Sequence, residues 1–168
     1  MTQLTKDAQR LAGLLSKSSV RIVFAESCTG GLVAASLAKV PGISDYLCGS
    51  AVTYRNATKH AWLAVSDEKL TRPGPVSAVV ASEMAAGVLA MTPEADWSAS
   101  VTGHLGPNAP KRLDGLVYIG IGRRVGKLVE SSASRHVLTS ETRLTRQKEA
   151  ASLVLDKLFE AICDWQDE

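Results

Sequence analysis

Short apolar runs along this chain alternate with longer segments of helical periodicity. Runs rich in β-branched residues, or side chains that alternate between apolar and polar, predict five strands. The predicted strands are Val20–Ala25, Leu47–Tyr54, Trp97–Thr102, Leu116–Ile121 and Val125–Leu138. The Leu116 run is apolar throughout, which indicates a central strand, whereas the Val125 segment has a more polar face and is expected nearer a sheet edge.

Segments with helix-forming composition lie between these strands. Four of them are predicted over Met1–Lys17, Thr29–Val40, Ala57–Val65 (capped by Asn56) and from Ser77 as cap to Met91. In the last segment, apolar residues recur at helical spacing from Ala151 to Ile162, which predicts a helix packed on the sheet. Strands interleaved with helices predict an α/β fold: a three-layer α/β/α sandwich with a mixed, largely parallel central sheet, as one domain over residues 1–168.

The most informative motif is Ala25-Glu26-Ser27-Cys28-Thr29-Gly30-Gly31, where a predicted strand becomes a helix. In open α/β sheets this edge is the usual ligand crevice, and a helix N-terminus there can hold a phosphate or an oxyanion. Ser27 is therefore a candidate nucleophile. The alternative is that Ser27 or Thr29 only caps the helix.

Two further strand ends are expected to meet Ser27 at the same edge. Tyr54 and Lys59 follow the second strand, and Thr102-Gly103-His104 ends the third predicted strand. A serine nucleophile needs a base, and a desolvated lysine with a lowered pKa can serve, so Lys59 is the candidate, with Tyr54 as a proton relay. The alternatives are a solvated lysine and a packed tyrosine. The role of His104 is left open: it can be a general base, a donor that contacts an amide, or a surface residue.

Arg143 and Arg146 lie three residues apart in the first turn of the last helix, where the helix dipole disfavours positive charge. An anion bound between them would explain this placement. The alternative is that Arg146 pairs with Glu149 or Glu130. The helix N-terminus after Ser27 competes with the arginines for a phosphate.

The composition excludes several classes of partner. A net charge of +2 without a basic block, and only eight aromatic residues (three Trp, three Tyr, two Phe), argue against nucleic acid. No apolar run reaches the roughly 20 residues of a membrane span, and residues 1–17 do not form a signal peptide, so we expect a cytoplasmic protein without membrane contact. The scattered cysteines and histidines predict no disulfide, no metal and no cofactor. Ala-rich helices and the polar strand favour a homo-oligomer, in the first instance a dimer.

These motifs together resemble the CinA C-terminal domain family. The resemblance runs from about Leu4 to Leu158 and rests on the motif around Ser27 and on others in the same order: Val52-Thr53-Tyr54 with Asn56 and Lys59, Gly74-Pro75-Val76-Ser77, Val101-Thr102-Gly103, Gly106-Pro107, and the arginine pair. It implies a three-layer α/β/α fold and the family's short form, without the N-terminal pyrophosphatase domain of two-domain members.

The resemblance also implies an activity. Family members include a nicotinamide-nucleotide amidase, which hydrolyses nicotinamide mononucleotide to nicotinic acid mononucleotide and ammonia without a metal, in pyridine nucleotide salvage. By this resemblance Ser27 is the nucleophile and Lys59 its base, while Tyr54, Thr29, Thr102 and the glycines line the site of a small-molecule nucleotide substrate. Taken with the residue patterns above, the resemblance gives Tyr54 as a further expected catalytic residue and ten expected substrate-binding residues: Glu26, Cys28, Thr29, Gly30, Gly31, Thr102, Gly103, His104, Arg143 and Arg146.

One segment departs from the family pattern. Members commonly have several glycines after a Gly-Ile-Ala-Gly-Pro motif, whereas this chain has His104-Leu105 within that motif and a bulkier, partly charged loop up to Arg112. Asn108 tolerates positive φ only partly, and Pro110 lacks an N–H donor. A non-catalytic nucleotide-binding or regulatory module is therefore the alternative function. Cysteine chemistry at Cys28 is a third possibility.

Overall fold

The computed structural model describes residues 1–167 and contains one mixed sheet of five strands. The strands are β1 (Ile22–Glu26), β2 (Leu47–Val52), β3 (Trp97–Gly103), β4 (Leu116–Val125) and β5 (Leu128–Val137), in the spatial order β2-β1-β3-β4-β5. Strands β2, β1 and β3 run parallel, while β3–β4 and β4–β5 are antiparallel. Because the three parallel strands are neighbours, their carboxyl ends meet at one edge of the sheet.

Six α-helices surround the sheet. They are α1 (Gln3–Ser18), α2 (Leu32–Leu37), α3 (Asn56–Leu63), α4 (Asp67–Thr71), α5 (Ala78–Ala90) and α6 (Arg143–Gln166), with short 3₁₀ turns at Ile43–Asp45 and Lys111–Leu113. No helix within residues 1–167 has the length and apolar character needed to cross a membrane.

The period-two pattern of β1 divides the core into two layers. Ile22 and Phe24 pack against α1, α2 and α6, whereas Val23 and Ala25 pack on the opposite face against residues of α3, α4 and α5. The stripe predicted on the last helix, from Ala151 to Ile162, is buried in the first layer. The predicted α/β/α sandwich is therefore confirmed.

Most element bounds differ from the prediction by one to four residues, and three of the differences involve a turn or a helix cap. The helix expected over Thr29–Val40 is restricted to Leu32–Leu37, because Gly30 and Gly31 have φ of +61° and +99° and form a turn before it. The strand expected from Val125 begins at Leu128, since Gly126 (φ +61°) turns the chain into a hairpin and Val125 ends β4. Helix α3 begins at Asn56, one residue earlier than expected, and Arg55 is its cap.

Helix α5 lies unusually close to the sheet because small residues face it. Ser98 and Ser100 of β3 donate hydrogen bonds to the carbonyl oxygens of Ala85 and Ala81, at 2.7 and 2.6 Å. On β4, a Cβ placed at Gly120 would lie 2.2 Å from the Ala81 carbonyl oxygen. The absence of a side chain at this position therefore sets the distance between the helix and the sheet.

We expect Gly120→Ala to lower the free energy of unfolding by about 1–3 kcal/mol, because the new methyl group overlaps helix backbone that cannot move independently. Gly13→Ala is the matched control: Gly13 is exposed in α1, nothing lies within 4 Å of its added Cβ, and the change should stabilise the helix by about 0.5–1 kcal/mol. Urea unfolding measures both values. Equal effects of the two substitutions would contradict the close approach of α5.

Candidate active site

A cavity of about 320 Å³ lies at the carboxyl ends of β1, β2 and β3. The three predicted strand ends contribute to it together: Ser27 after β1, Tyr54 and Lys59 after β2, and Thr102 at the end of β3. Its other lining residues are Cys28, Asn56, Pro75, Val76, Gly103, His104, Leu105, Gly106, Pro107, Asn108, Ala109, Pro110 and Arg143. A volume of this size suits part of a small organic ligand.

The Lys59 amine contacts the Ser27 hydroxyl directly. Its Nζ lies 3.0 Å from Ser27 Oγ and donates a 2.9 Å hydrogen bond to the carbonyl oxygen of Thr53. Lys59 projects from α3, and only 2% of its surface is exposed, while 8% of Ser27 is exposed. The structure thus excludes a solvated lysine and brings amine and hydroxyl within proton-transfer distance.

Burial changes the pKa values of Lys59 and Cys28 in opposite directions. Loss of solvation lowers the pKa of the Lys59 ammonium below its ordinary value of 10.5, which favours the neutral amine that a base requires. Burial raises the pKa of the neighbouring Cys28 thiol from 9.0 to about 12, so the thiolate is disfavoured at neutral pH. These environments favour Ser27 over Cys28 as the nucleophile.

Glu26 does not line the cavity, because its carboxylate is directed to the start of α2. With 1% of its surface exposed, Glu26 accepts hydrogen bonds from the backbone N–H groups of Gly31, Val33 and Ala34, each at 3.0 Å. The hydroxyls of Thr29 and Ser50 add two more, at 2.7 and 3.0 Å. Glu26 is therefore a buried helix cap that ties β1, β2 and α2 together, and the structure gives it no direct contact with the cavity.

The N–H groups of Gly30 and Gly31, which were expected to face an anion, already have hydrogen-bond partners within the protein. The Gly31 N–H donates to Glu26, and the Gly30 N–H donates to the Ser27 carbonyl oxygen at 3.1 Å. The Gly30 and Gly31 amides, two of those expected to hold an oxyanion or a phosphate, are thus engaged within the protein. The hydroxyl of Thr29 is also engaged, because it donates to the Glu26 carboxylate.

Tyr54 and Arg143 form the rim of the cavity. Arg143 donates a 2.7 Å hydrogen bond to the Tyr54 hydroxyl and a 2.6 Å bond to the Gly106 carbonyl oxygen. Tyr54 is 56% exposed. Because Lys59 reaches Ser27 without an intermediate group, the expected relay through Tyr54 is not needed, and the contacts of its hydroxyl place it beside Arg143 instead.

Arg146 has different hydrogen-bond partners from Arg143. Its guanidinium makes a two-pronged contact with the Asp114 carboxylate, at 2.7 and 2.9 Å, and donates to the Ser140 carbonyl oxygen at 2.7 Å. Hydrogen bonding to Arg146 lowers the pKa of Asp114. The acidic partner of Arg146 is thus Asp114, and not Glu149 or Glu130, which were the alternative to an anion site. An anion held between the two arginines would have to displace Asp114.

The third predicted motif forms the opposite wall. The Thr102 hydroxyl donates to the Pro75 carbonyl oxygen at 2.8 Å, and Gly103 packs so closely on Val117 that an added Cβ would lie 2.4 Å from its methyl carbon. His104 is half-buried, and its backbone bonds to Leu116 and Gly115. Asn108, in the altered loop, adopts a φ of +70°.

Sequence reasoning did not single out several residues that shape the site. Gln147 of α6 donates to the Thr29 carbonyl oxygen at 2.9 Å and so fixes the loop after Ser27. The Thr53 carbonyl oxygen orients the Lys59 amine, and Pro75 and Val76 line the cavity. The Pro75 motif had been noted in the sequence. A backbone carbonyl group, or a glutamine on a distant helix, carries no sequence signature.

The CinA C-terminal domain model matches residues 4–162, nearly the whole chain. The chain belongs to the CinA C-terminal domain family. Among curated relatives, a "CinA-like protein" of Prochlorococcus marinus (strain MIT 9301) is 47% identical over 109 residues, which are 64% of this chain and 26% of the relative. A "CinA-like protein" of Thermosynechococcus vestitus is 40% identical over 129 residues, or 73% of this chain and 31% of the relative. The chain spans about a quarter to a third of the length of these relatives.

Solved CinA structures share the same fold over nearly their full lengths. The competence/damage inducible protein CihA from Agrobacterium tumefaciens superimposes with a TM-score of 0.88 at 28% identity, covering 95% of this chain and 96% of that one. The competence damage-inducible protein A (ComA) from Klebsiella pneumoniae gives a TM-score of 0.88 at 26% identity, covering 98% and 99%.

In this CinA domain, we expect Glu26→Gln to lower the free energy of unfolding by about 3 kcal/mol. The substitution places an amide donor against buried N–H and hydroxyl donors that all need an acceptor. The exposed Glu94→Gln should change the same quantity by less than about 0.5 kcal/mol. Chemical denaturation compares the two, and a wild-type stability for Glu26→Gln would contradict the capping role.

The lowered pKa of Lys59 also predicts a dependence of stability on pH. Between the folded pKa and 10.5, the unfolded chain holds a proton that the folded protein lacks, so stability relative to Lys59→Met should rise with pH in that window and level off above it. Denaturation at several pH values measures the difference. Lys17→Met, which removes an exposed lysine, should show no such slope. A difference that falls with rising pH would contradict burial of a neutral amine.

Proposed function

We propose that this CinA domain is an amidohydrolase that releases ammonia from the carboxamide of nicotinamide mononucleotide. The observation that carries the proposal is the 3.0 Å contact between Lys59 Nζ and Ser27 Oγ inside a cavity at the strand ends. A buried amine beside a serine hydroxyl is the arrangement that activates serine for attack on an acyl group. The identity of the proposed substrate rests on the resemblance of the Ser27 and Lys59 motifs to those of family amidases.

The proposed first step forms an acyl-enzyme. Ser27 Oγ attacks the carboxamide carbon while the neutral Lys59 amine accepts the hydroxyl proton across the existing contact. The Thr53 carbonyl oxygen accepts one amine N–H and keeps the lone pair directed at Ser27. The C–N bond then breaks, and the ammonium form of Lys59 returns the proton to the departing ammonia.

The second step releases the acid. Water attacks the ester carbon, Lys59 accepts its proton, and the Ser27–acyl bond breaks as the proton passes to Ser27 Oγ. The positive charge that Lys59 carries in each tetrahedral intermediate lies close to the developing oxyanion, where exclusion of water strengthens its attraction. The amine therefore acts both as proton carrier and as the charge that offsets the oxyanion.

The rim of the cavity is suited to an anionic substrate. Arg143 lines the cavity, and its contacts there are a phenol oxygen and a backbone carbonyl oxygen, neither of which neutralises its charge. A substrate phosphate can replace the Tyr54 hydroxyl as its partner. Arg146 is neutralised by Asp114, so its role is to hold the loop after the 3₁₀ turn Lys111–Leu113 in place and not to bind the substrate.

A non-catalytic nucleotide-binding module is the second candidate, and the loop from His104 to Arg112 favours it. Asn108, Ala109 and Pro110 line the cavity where family members commonly carry glycines. These side chains restrict how closely a substrate can approach the backbone. Stabilisation by the nucleotide in a thermal-shift titration, without ammonia release, would establish this alternative.

Ser27→Ala and Lys59→Met should each lower ammonia release from nicotinamide mononucleotide by at least about a thousandfold, since they remove the nucleophile and its base. A coupled ammonia assay measures the rate, and Lys17→Met is the matched control for loss of a lysine. Thermal unfolding verifies that each variant is folded. Ammonia release by folded Ser27→Ala at the wild-type rate would refute serine catalysis.

Substitution of Arg143 and substitution of Arg146 should have different effects on KM and on melting temperature. Arg143→Gln should raise KM for nicotinamide mononucleotide about tenfold with little change in melting temperature, because its charge is directed to the cavity rim. Arg146→Gln should lower the melting temperature, because Asp114 and the Ser140 carbonyl lose their donor. The reverse pattern would assign the anion contact to Arg146.

A further inference from the structure

A second cavity lies between α1, α2 and α6 and has a volume of about 610 Å³, nearly twice that of the candidate active site. Leu4 and Ala8 of α1, Leu32 of α2 and the following Val40 contribute apolar surface to it. The two cavities have no lining residue in common. The proposed amidase reaction therefore leaves this larger space without a role.

One buried polar group in its wall lacks a partner. Ser36 of α2 lines the cavity and is 6% exposed, and its Oγ has no hydrogen-bond partner among residues 1–167. A buried hydroxyl without a partner costs about 1–3 kcal/mol and is uncommon in folded proteins. A ligand that reaches this wall can supply the missing hydrogen bond.

The charge at the cavity is positive. Lys39 and Lys148 line it from α2's C-terminal side and from α6, and neither forms an ion pair within residues 1–167. Glu149, the acidic residue of the wall, already accepts hydrogen bonds from the backbone N–H groups of Thr139 and Ser140, both at 2.8 Å, and from the Thr139 hydroxyl. The two ammonium groups therefore remain available to an anion.

We propose that this cavity binds a free small molecule with an apolar body and an anionic group. The apolar body would pack on Leu4, Ala8 and Leu32, and the anionic group would pair with Lys39 and Lys148 at the rim. Ser36 would donate or accept one hydrogen bond. The apolar walls provide most of the binding free energy, and the lysines select the charge.

Isothermal titration of the full chain with octanoate, well below micelle formation, tests the proposal. We expect saturable binding of one octanoate per chain and at least tenfold weaker binding of neutral octanamide. The double variant Lys39→Gln/Lys148→Gln should weaken octanoate binding at least tenfold. The control Lys17→Gln/Lys127→Gln, which removes two exposed lysines elsewhere, should leave it unchanged. No saturable binding at millimolar octanoate, or equal binding of octanamide, would overturn the proposal.

A pair of bulky substitutions locates the binding. Gln9 of α1 lines the cavity, and Gln9→Trp should fill it and abolish octanoate binding. Lys6→Trp adds the same side chain on the same helix but outside the cavity, and should bind octanoate as the wild type does. Thermal unfolding without octanoate verifies that both variants are folded. Wild-type affinity in folded Gln9→Trp would show that octanoate binds elsewhere and would overturn the assignment.

Ser36→Ala gives an independent readout. Because the hydroxyl has no partner in the free protein, its removal should leave the melting temperature unchanged or higher, while octanoate binding should weaken about threefold or more. A lower melting temperature with unchanged octanoate affinity would mean that the hydroxyl serves the fold and not a ligand.

Discussion

The buried carboxylate of Glu26 connects the strand end, the turn and the helix on which the candidate site is built. Five donors, three from the backbone at the start of α2 and two from hydroxyls, converge on its two oxygens. A buried carboxylate is stable only when hydrogen bonds replace the water it has lost. Because Ser27 is the next residue, satisfaction of Glu26 also fixes the direction in which the Ser27 side chain leaves the backbone.

The mixed sheet explains why the site is at one edge. Strands β2, β1 and β3 are parallel, so Ser27, Tyr54 and Thr102 lie at or just beyond strand ends that are side by side. Strand β4 runs in the opposite direction, and β5 again runs with β3, so the carboxyl end of β5 at Val137 lies at the same edge and leads the chain towards α6. The first helical turn of α6 closes the edge, where Arg143 contacts Tyr54 and Gln147 contacts the turn after Ser27.

Similar side chains acquire different properties in this fold because their partners differ. Lys59 is buried against a hydroxyl and a carbonyl oxygen, so desolvation lowers its pKa, whereas exposed lysines elsewhere keep their water. Arg146 is matched by a carboxylate, while Arg143 contacts only neutral oxygens. The chemistry proposed for the CinA domain rests on these differences in environment.

The sequence by itself determined the sandwich, the buried stripe of α6, the strand ends at Ser27, Tyr54 and Thr102, and the family. These depend on local periodicity, turn residues and motifs that can be read along the chain. Only the tertiary structure decided that Glu26 caps α2, that Lys59 reaches Ser27 directly, and that Asp114, 32 positions before Arg146, is its partner. The contacts of Lys59 and Arg146 each join residues 32 positions apart and depend on how the layers pack, so no local pattern of side chains encodes them. The Glu26 contacts are closer in sequence, but they depend on the turn at Gly30 and Gly31, which aims the N–H groups of α2 at the carboxylate.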